Sequence, residues 1–232
     1  DALAEGSARL AQKWGHPDAV DHLAVKGQEI SMHDPRIKVG VGIGFAVSPY
    51  GADHMTAAHD TAFVNADSFP VTSVRPLGIY EPIHATEITA EKVRNYKVLE
   101  NFWRTLDALG LCVFGYAPRG VMPINTMVDC VNAVTGWDTS LFELMRAGER
   151  ATLIARAFNS REGFTIINDQ LPKRLFDPKP DGANAGQQIF NEADFNQAVR
   201  LYYDMIGCDA GSGRPQRAKL LELGLEWIEE LL

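Results

Sequence analysis

Residues 89–112 read TAEKVRNYKVLENFWRTLDALGLC, and this stretch decides the fold. Apolar side chains recur in it at spacings of three and four residues, which predicts a long helix with one buried face. They are Val93, Tyr96, Leu99, Phe102, Trp103, Leu106 and Leu109. Thr89 can cap the first turn, and Gly110 can take the left-handed conformation that ends a helix. Asp107 and Cys112 are therefore expected at the carboxyl end of a helix.

The two polar residues at this helix end can be interpreted in more than one way. A carboxylate in the last turn, such as Asp107, opposes the helix dipole, so a partner rich in hydrogen-bond donors explains it better than helix stability does. Cys112, between two apolar residues, is either a small buried side chain or a metal ligand. An iron–sulfur cluster normally takes four cysteines, whereas this chain has only Cys112, Cys130 and Cys208, without a Cys-x-x-Cys pair. The chain by itself cannot complete a standard cluster.

Composition limits the classes of function. The chain has 232 residues, of which 46% are hydrophobic and 22% charged, enough for one large domain or two small ones. A formal net charge of -8 argues against nucleic acid or an anionic membrane as the main partner. No apolar run approaches the roughly 20 residues that span a bilayer. Three scattered cysteines fit a reducing compartment, so we expect a cytoplasmic protein.

Apolar periodicity along the rest of the chain predicts an all-α, multihelical fold. The other predicted helices are Leu3–Trp14, Asp34 through Val47, Ile124 to a stop at Gly136, Ser140 to about Phe158, Asn191 to Gly207, and one or two within Pro215–Leu232. Glu143 stands three residues after Ser140, as in a capping box. Strand character is weak and confined to Ala24–Ile30 and Phe164–Asn168. Tyr202-Tyr203, Trp137, Cys130 and Cys208 are interpreted as packing or interface residues.

Two further clusters could carry chemistry. Gly40-Val-Gly42-Ile-Gly44 suggests a phosphate loop, but the third glycine of the dinucleotide motif is displaced and no strand precedes it, so close helix packing or close approach to a ligand is favoured. His54 and His59, flanked by Asp53 and Asp60, could bind metal or act in acid–base chemistry. The alternative is a loop with capping aspartates and solvated histidines.

A series of short segments extends in order along the whole chain: Leu3-Ala-Glu-Gly6, Val25-Lys-Gly27, Asp34-Pro-Arg36, Phe45-Ala-Val-Ser48, Gly51-Ala-Asp-His54, Asp107-x-x-Gly-Leu-Cys112, Ala147-Gly-Glu-Arg150, Phe158-Asn-Ser-Arg-Glu-Gly-Phe164, Leu171-Pro172, Tyr202-Tyr203 and Leu223-Gly-Leu225. Together they resemble the C-terminal helical region of the tungsten-containing aldehyde ferredoxin oxidoreductase family. The resemblance implies a multihelical fold of that type, with residues 1–30 as the tail of a preceding helical domain and residues 31–232 as a C-terminal helical domain.

The resemblance also implies roles for particular residues. Such enzymes hold tungsten, or molybdenum, between two pterins beside a 4Fe-4S cluster. Carried over, Asp107 would accept hydrogen bonds from a pterin, the backbone of Gly110 and Leu111 would line it, and Cys112 would be a cluster ligand. His54 matches a histidine near the metal, where it would orient the aldehyde or move a proton. No role transfers to His59.

The family's cluster segment with three cysteines, its first pterin-gripping segment and its N-terminal domain are missing from this chain. The chain starts at Asp1 inside a helical pattern, without an initiator Met, so we expect a piece of a longer protein that is inactive by itself. Its missing part would come from the same protein or a partner subunit.

The implied activity of the whole protein is oxidation of a small aldehyde to a carboxylic acid, with ferredoxin as electron acceptor; a homodimer is left open. Two alternatives remain. The same architecture could reduce aromatic acyl thioesters, or the piece could be a non-catalytic helical interaction module.

Overall fold

The computed structural model describes residues 2–17 and 23–232, and helices dominate it. The α-helices are α1 Ser7–Lys13, α2 Val39–Val47, α3 Phe69–Ser73, α4 Ala90–Ala108, α5 Ile124–Thr135, α6 Leu141–Arg161, α7 Glu192–Ile206 and α8 Arg217–Leu223. Short 3-10 helices cover Ala2–Glu5, Asp60–Ala62, Arg75–Leu77, Ile166–Asn168, Lys173–Leu175 and Glu226–Leu231. The all-α prediction is confirmed. Asp1, the residue at which the chain starts within a helical pattern, lies outside the described residues.

The long helix predicted from residues 89–112 is α4. Thr89 caps it by accepting a hydrogen bond from the Lys92 amide at 3.1 Å. The apolar stripe faces inward, and Phe102, Trp103 and Leu106 are almost fully buried. Gly110 has a φ angle of 68°, the left-handed conformation expected after the last turn. Thr89 and Gly110 therefore set the two ends of the helix, as the sequence predicts.

Helix α4 packs most closely on α6, and Gly148 makes this approach feasible. A Cβ atom at Gly148 would lie 2.0 Å from the carbonyl oxygen of Asn101. Any other residue would clash with this oxygen, whereas glycine has no Cβ atom. Beside it, the Thr105 hydroxyl lies 2.9 Å from the carbonyl oxygens of both Asn101 and Leu144. The contact therefore combines backbone proximity with a hydroxyl shared between the two helices.

Helix α2 is buried along its whole length, and its three glycines serve packing. A Cβ atom at Gly40 would lie 2.3 Å from Asp60 Oδ1, and one at Gly42 would lie 2.9 Å from Pro35 Cβ. The Gly40 amide donates to Asp60 Oδ2 at 2.6 Å. Glycine costs ~1 kcal/mol relative to alanine inside a helix, so close packing is the compensating gain. A Cβ atom at Gly42 would also lie 3.5 Å from the Phe195 ring on α7, so close helix packing, one of the two interpretations of this stretch, is confirmed.

Three predicted elements differ from the structure. The helix expected over Leu3–Trp14 is interrupted at Gly6, whose φ angle is 87°. The helix expected from Asp34 begins at Val39, because the Asp34 carboxylate accepts from the Arg36 amide at 2.9 Å and closes a separate turn. The strand expected over Phe164–Asn168 is wrong.

Residues 166–168 form a 3-10 helix instead, for a local reason. Thr165 and Asn168 exchange hydrogen bonds with each other's backbone, which is a reciprocal cap that favours a helical turn. The other predicted strand region is a hairpin of Ala24–Val25 with Gln28–Glu29. The capping box of α6 forms in part, since Ser140 accepts from the Glu143 amide at 3.3 Å while the Glu143 carboxylate bonds the Thr139 hydroxyl.

The aromatic residues singled out in the sequence have different positions. Tyr202 and Tyr203 on α7 are almost fully buried, and the Tyr202 ring packs against that of Tyr96 at 5.7 Å between centroids. They are core residues, as predicted. Trp137 is 65% exposed and lies outside the core. An interface role for it stays a prediction. Among the described residues, no helix is both long and apolar enough to cross a bilayer.

A buried ionic network joins the hairpin to the helices. Asp169 pairs with Lys26 Nζ at 2.5 Å and with Arg156 Nη1 at 2.6 Å, and it accepts a hydrogen bond from the Tyr203 hydroxyl at 2.6 Å. Burial lowers the pKa of Lys26 to about 8, against the opposing effect of Asp169, so the ammonium stays charged at neutral pH. Val25 also belongs to the main core. The hairpin thus packs on the helices that follow it, and the division predicted near residue 30 stays a prediction.

The substitution Asp169→Asn is expected to lower the free energy of unfolding by about 3–5 kcal/mol. It leaves the Arg156 cation buried without a counter-ion and removes the carboxylate that helps to keep Lys26 protonated. Urea denaturation followed by circular dichroism measures the effect, with Asp177→Asn as control because Asp177 is exposed. Equal midpoints for the two variants would contradict the importance of this network.

Candidate functional site

The segment Asp107–Cys112 leaves α4 through a Schellman turn. The Gly110 amide donates to the Asp107 carbonyl at 3.0 Å, and the Leu111 amide donates to the Leu106 carbonyl at 2.8 Å. This double closure fixes the backbone of the segment independently of any ligand. Cys112 follows as the first residue of a loop that extends to Met122.

Exposure separates the residues of this segment. The Asp107 side chain is 56% exposed and Cys112 is exposed, while Leu111 is partly buried against the core. The interpretation of Cys112 as a small buried side chain is therefore wrong. Cys130 is exposed as well, whereas Cys208 is buried, and burial raises the pKa of its thiol to about 12. Only the first two thiols are accessible to a ligand.

The loop after Cys112 presents apolar surface. Phe114 is 60% exposed and Val121 is 87% exposed. Arg119 lies over the Phe114 ring at 5.3 Å from its centroid. The loop is held by the Met122 amide, which donates to the Gly115 carbonyl at 3.1 Å. The accessible thiol of Cys112 is therefore followed by a loop with exposed apolar side chains.

Three histidines meet at the start of α2. The ring centroids of His33 lie 4.8 Å from His54 and 4.5 Å from His59. His33, which is 21 positions before His54, was not predicted to join this cluster. No spacing rule connects residues that far apart, and the only local signal was its position before the Asp34-Pro35 turn.

Lys38 and backbone groups orient this histidine cluster. Lys38 Nζ lies 3.1 Å from His33 Nδ1 and 3.2 Å from His59 Nδ1, so both imidazoles accept a hydrogen bond from the ammonium. The opposite nitrogen of His59, Nε2, donates to the His54 carbonyl at 2.9 Å. His59 is therefore a neutral tautomer with its proton on Nε2.

Burial and neighbouring positive charge both keep two of these rings neutral. Burial lowers the pKa of His59 to about 4, assisted by the charges of Arg119 and Lys38 and opposed by the bond to His54. The pKa of His33 is lowered by burial and then by Lys38.

The two aspartates beside the histidines have separate tasks. Asp60 is buried, binds the Gly40 amide and pairs with Lys92 at 3.4 Å. Asp53 accepts from the Met55 amide at 2.8 Å and lies 3.9 Å from His54 Nδ1. The described residues contain no group of three or more His, Cys, Asp or Glu side chains arranged to hold a metal ion. The capping role expected of Asp53 is present, while His59 is packed against protein and His54 keeps a 36% exposed side chain.

A chain of polar contacts connects Asp107 to His54. Arg104 Nη1 lies 3.5 Å from Asp107 Oδ2 and 3.5 Å from the Tyr50 hydroxyl. The Tyr50 hydroxyl donates to Asp53 Oδ2 at 2.9 Å, and Asp53 adjoins His54. Two site residues that are more than fifty positions apart therefore lie on one connected surface.

Beneath this surface lies a buried acid. Glu100 is fully buried and accepts a hydrogen bond from the Tyr202 hydroxyl at 2.6 Å. Burial raises the pKa of Glu100, against the opposing charge of Arg104. Burial alone lowers the pKa of Arg104, but the charge of Glu100 and the contact with Tyr50 raise it above its usual value. Arg104 therefore remains a cation at the boundary between core and surface.

The residues at this helix end can supply one thiolate ligand to a metal cluster. Cys112 offers an accessible thiol, and Asp107 offers a carboxylate whose only ion pair within the described residues is a long contact with Arg104. Cys208 is buried elsewhere in the core. The residues fit a cofactor that binds also to groups outside this chain.

Comparison with known proteins gives one family. The family model for aldehyde ferredoxin oxidoreductase, domains 2 and 3, matches residues 1–225. Tungsten-containing aldehyde ferredoxin oxidoreductases of Pyrococcus horikoshii and Thermococcus kodakarensis are each 32% identical to this chain, over 228 and 227 residues. The protein of the same name from Pyrococcus furiosus is 30% identical over 227 residues. Each alignment covers 97% of this chain and 34% of the relative, so the chain spans about a third of the length of these relatives.

The histidine cluster predicts an acid-sensitive contribution to stability. The unfolded chain protonates His59 near pH 6.5 and the folded chain only near pH 4, so lowering the pH through this window favours the unfolded state. The loss is about 1–2 kcal/mol after allowance for solvent screening. His59→Gln keeps a donor and an acceptor without titrating, and should reduce this loss.

Urea midpoints between pH 7 and pH 4 measure the effect. His16→Gln is the control, because His16 is exposed. Parallel pH profiles for wild type and His59→Gln would show that burial of His59 does not contribute.

Proposed function

The chain belongs to the aldehyde ferredoxin oxidoreductase family, and we propose that it is the part of a tungsten oxidoreductase that contains domains 2 and 3. The whole protein would oxidise an aldehyde and water to a carboxylic acid, releasing two protons and passing two electrons to ferredoxin. The observation that carries the proposal is the exposed Cys112 thiol, held at a closed helix end beside Asp107 and connected by polar contacts to His54.

Each residue of the helix end has a role in this proposal. Asp107 would accept hydrogen bonds from pterin N–H groups, because a charged acceptor makes the stronger bonds and these offset the unfavourable position at the helix end. The backbone of Gly110 and Leu111 would line the same pterin. Cys112 would supply one of four thiolate ligands of a 4Fe-4S cluster.

The remaining ligands must come from outside this chain. Cys130 lies on α5 and Cys208 is buried, and neither forms a metal-binding group with Cys112 within the described residues. The N-terminal part of the same protein or a partner subunit would supply three cysteines and the other pterin-binding segment. The isolated chain, with its tail before residue 31 and its C-terminal helical domain, would then be inactive.

His54 is proposed as the residue that orients the aldehyde and accepts a proton. Its side chain is 36% exposed, and Asp53 Oδ1 lies 3.9 Å from its Nδ1. The Nδ1 atoms of His33 and His59 contact Lys38 instead, so His54 is the member whose Nδ1 faces a carboxylate. The tungsten cofactor would accept the electron pair; the protein's task is to position the substrate and remove protons.

The full-length protein, purified anaerobically, provides the direct test. Tungsten and iron are measured by elemental analysis, and aldehydes and aromatic acyl thioesters are screened for substrate-dependent dye reduction or oxidation. We expect both metals and aldehyde oxidation. Activity with thioesters alone would favour the alternative substrate class. Absence of both metals would favour a helical module without catalysis.

Substitution of Cys112 by Ala is expected to remove most of the cluster signal in electron paramagnetic resonance and to lower activity by at least roughly 10²-fold, since a ligand is lost. Cys130→Ala is the matched control, because its thiol is also exposed and lies on another element. A Cys112→Ala protein with a full cluster signal would reject the ligand assignment.

His54→Gln should lower kcat/KM for aldehyde by roughly 10²–10⁴-fold, the range for loss of a general acid–base group. Tungsten and iron contents should stay at wild-type values, because the substitution removes no proposed ligand. His84→Gln is the control, since His84 is exposed and bonds Thr86 instead. Unchanged kinetics with full metal content would refute a catalytic role for His54.

A further inference from the structure

Arg104 contacts both Asp107 and Tyr50, the tyrosine whose hydroxyl binds Asp53 beside His54. Its Nη1 atom lies 3.5 Å from Asp107 Oδ2 and 3.5 Å from the Tyr50 hydroxyl, and the guanidinium carbon lies 5.5 Å from the centroid of the Tyr50 ring. The planar guanidinium stacks on the Tyr50 ring while its Nη1 atom donates to both oxygens, and a lysine side chain, which is shorter and not planar, cannot reproduce this stacking.

The position of Arg104 is set from the core. Its side chain is only 14% exposed, and Nη2 is buried without a hydrogen-bond partner among the described residues. Glu100, one turn earlier on α4, is fully buried and provides the opposite charge. A surface ion pair with Asp107 alone would contribute little and would not require such burial. The burial of Arg104 therefore indicates that it orients its neighbours and does not only form a surface ion pair with Asp107.

Tyr50 transmits this orientation to the histidine. Its hydroxyl donates to Asp53 Oδ2 at 2.9 Å, while Asp53 Oδ1 accepts from the Met55 amide at 2.8 Å. With both oxygens engaged, the carboxylate is fixed 3.9 Å from His54 Nδ1. A movement of Arg104 therefore alters the surroundings of His54 through two intermediate side chains.

We propose that Arg104 is a positioning residue that aligns the pterin-binding carboxylate of Asp107 with the loop that carries His54. The inference rests on the proposed function, because it assigns an orienting role within that same site. Arg104 touches neither aldehyde nor reacting atoms. It links the binding of the pterin by Asp107 to the orientation of His54, the residue proposed to accept the proton.

The test uses the full-length protein with three variants and one control. Tyr50→Phe removes the hydroxyl but keeps the ring, so it breaks only the connection to His54. Arg104→Lys keeps a positive charge, but on a shorter side chain without the planar group that stacks on Tyr50. The double variant combines them. Arg94→Lys is the control, because Arg94 is exposed on the same helix.

For Tyr50→Phe we expect roughly a tenfold to 10²-fold loss of kcat per tungsten atom, with KM and tungsten content unchanged, since misorientation acts on the reacting geometry. Arg104→Lys should show the same loss of kcat per tungsten atom and should also lose tungsten faster during dialysis, because Asp107 is no longer held. The double variant should lose no more kcat per tungsten atom than Arg104→Lys alone, since both changes interrupt one connection. The control should match wild type.

The outcomes that would overturn the inference are distinct from those that would overturn the function. An active wild type whose Tyr50→Phe variant keeps full kcat removes the role of Arg104 in positioning His54. The role of Arg104 is also contradicted if the losses of kcat in the two single variants multiply in the double variant, because the two side chains would then act independently. If Arg104→Lys fails to fold, the Tyr50→Phe variant alone tests the inference, because Tyr50 is half-exposed and its substitution should not prevent folding. A wild type without tungsten and without aldehyde oxidation overturns the proposed function, and this role with it.

Discussion

The close approach of α4 and α6 at Gly148 is the contact on which the site depends. Because a Cβ atom there would lie 2.0 Å from the Asn101 carbonyl oxygen, the two backbones can meet only with a glycine at this position. This contact fixes the direction of α4. Arg104, Asp107 and Cys112 occupy its last turn and the residues after it, so their location follows from that direction.

Buried charge is the second constraint, and it appears at three places. Asp169 neutralises Lys26 and Arg156, and Asp60 pairs with Lys92 next to α2. In each case the acid joins segments distant in sequence, so tertiary positions are fixed by pairs that are costly to break. The third acid, Glu100, differs because its Oε1 atom has no hydrogen-bond partner among the described residues. It lies one helical turn before Arg104 and provides the buried negative charge next to this proposed positioning residue.

Most helices were predictable because their signals are local. Thr89, Ser140 and Asn191 each cap a helix through a hydrogen bond to a residue three positions on, and Gly110, Gly136 and Gly207 each follow a helix in the left-handed conformation. The errors were local as well. Asp34 resembles a cap but closes a turn, and the apolar run Phe164–Asn168 forms a 3-10 helix because Thr165 and Asn168 cap each other.

The sequence alone determined the family resemblance, the helical class and the position of Cys112 after a helix end, because these depend on residues close together in the chain. It could not determine that Cys112 is exposed, that His33 joins His54 and His59, or that Arg104 links Asp107 to Tyr50. Such contacts arise only when packing brings together segments tens of residues apart. Exposure and the shifted pKa of His59 likewise depend on what surrounds a side chain, which the tertiary structure decides.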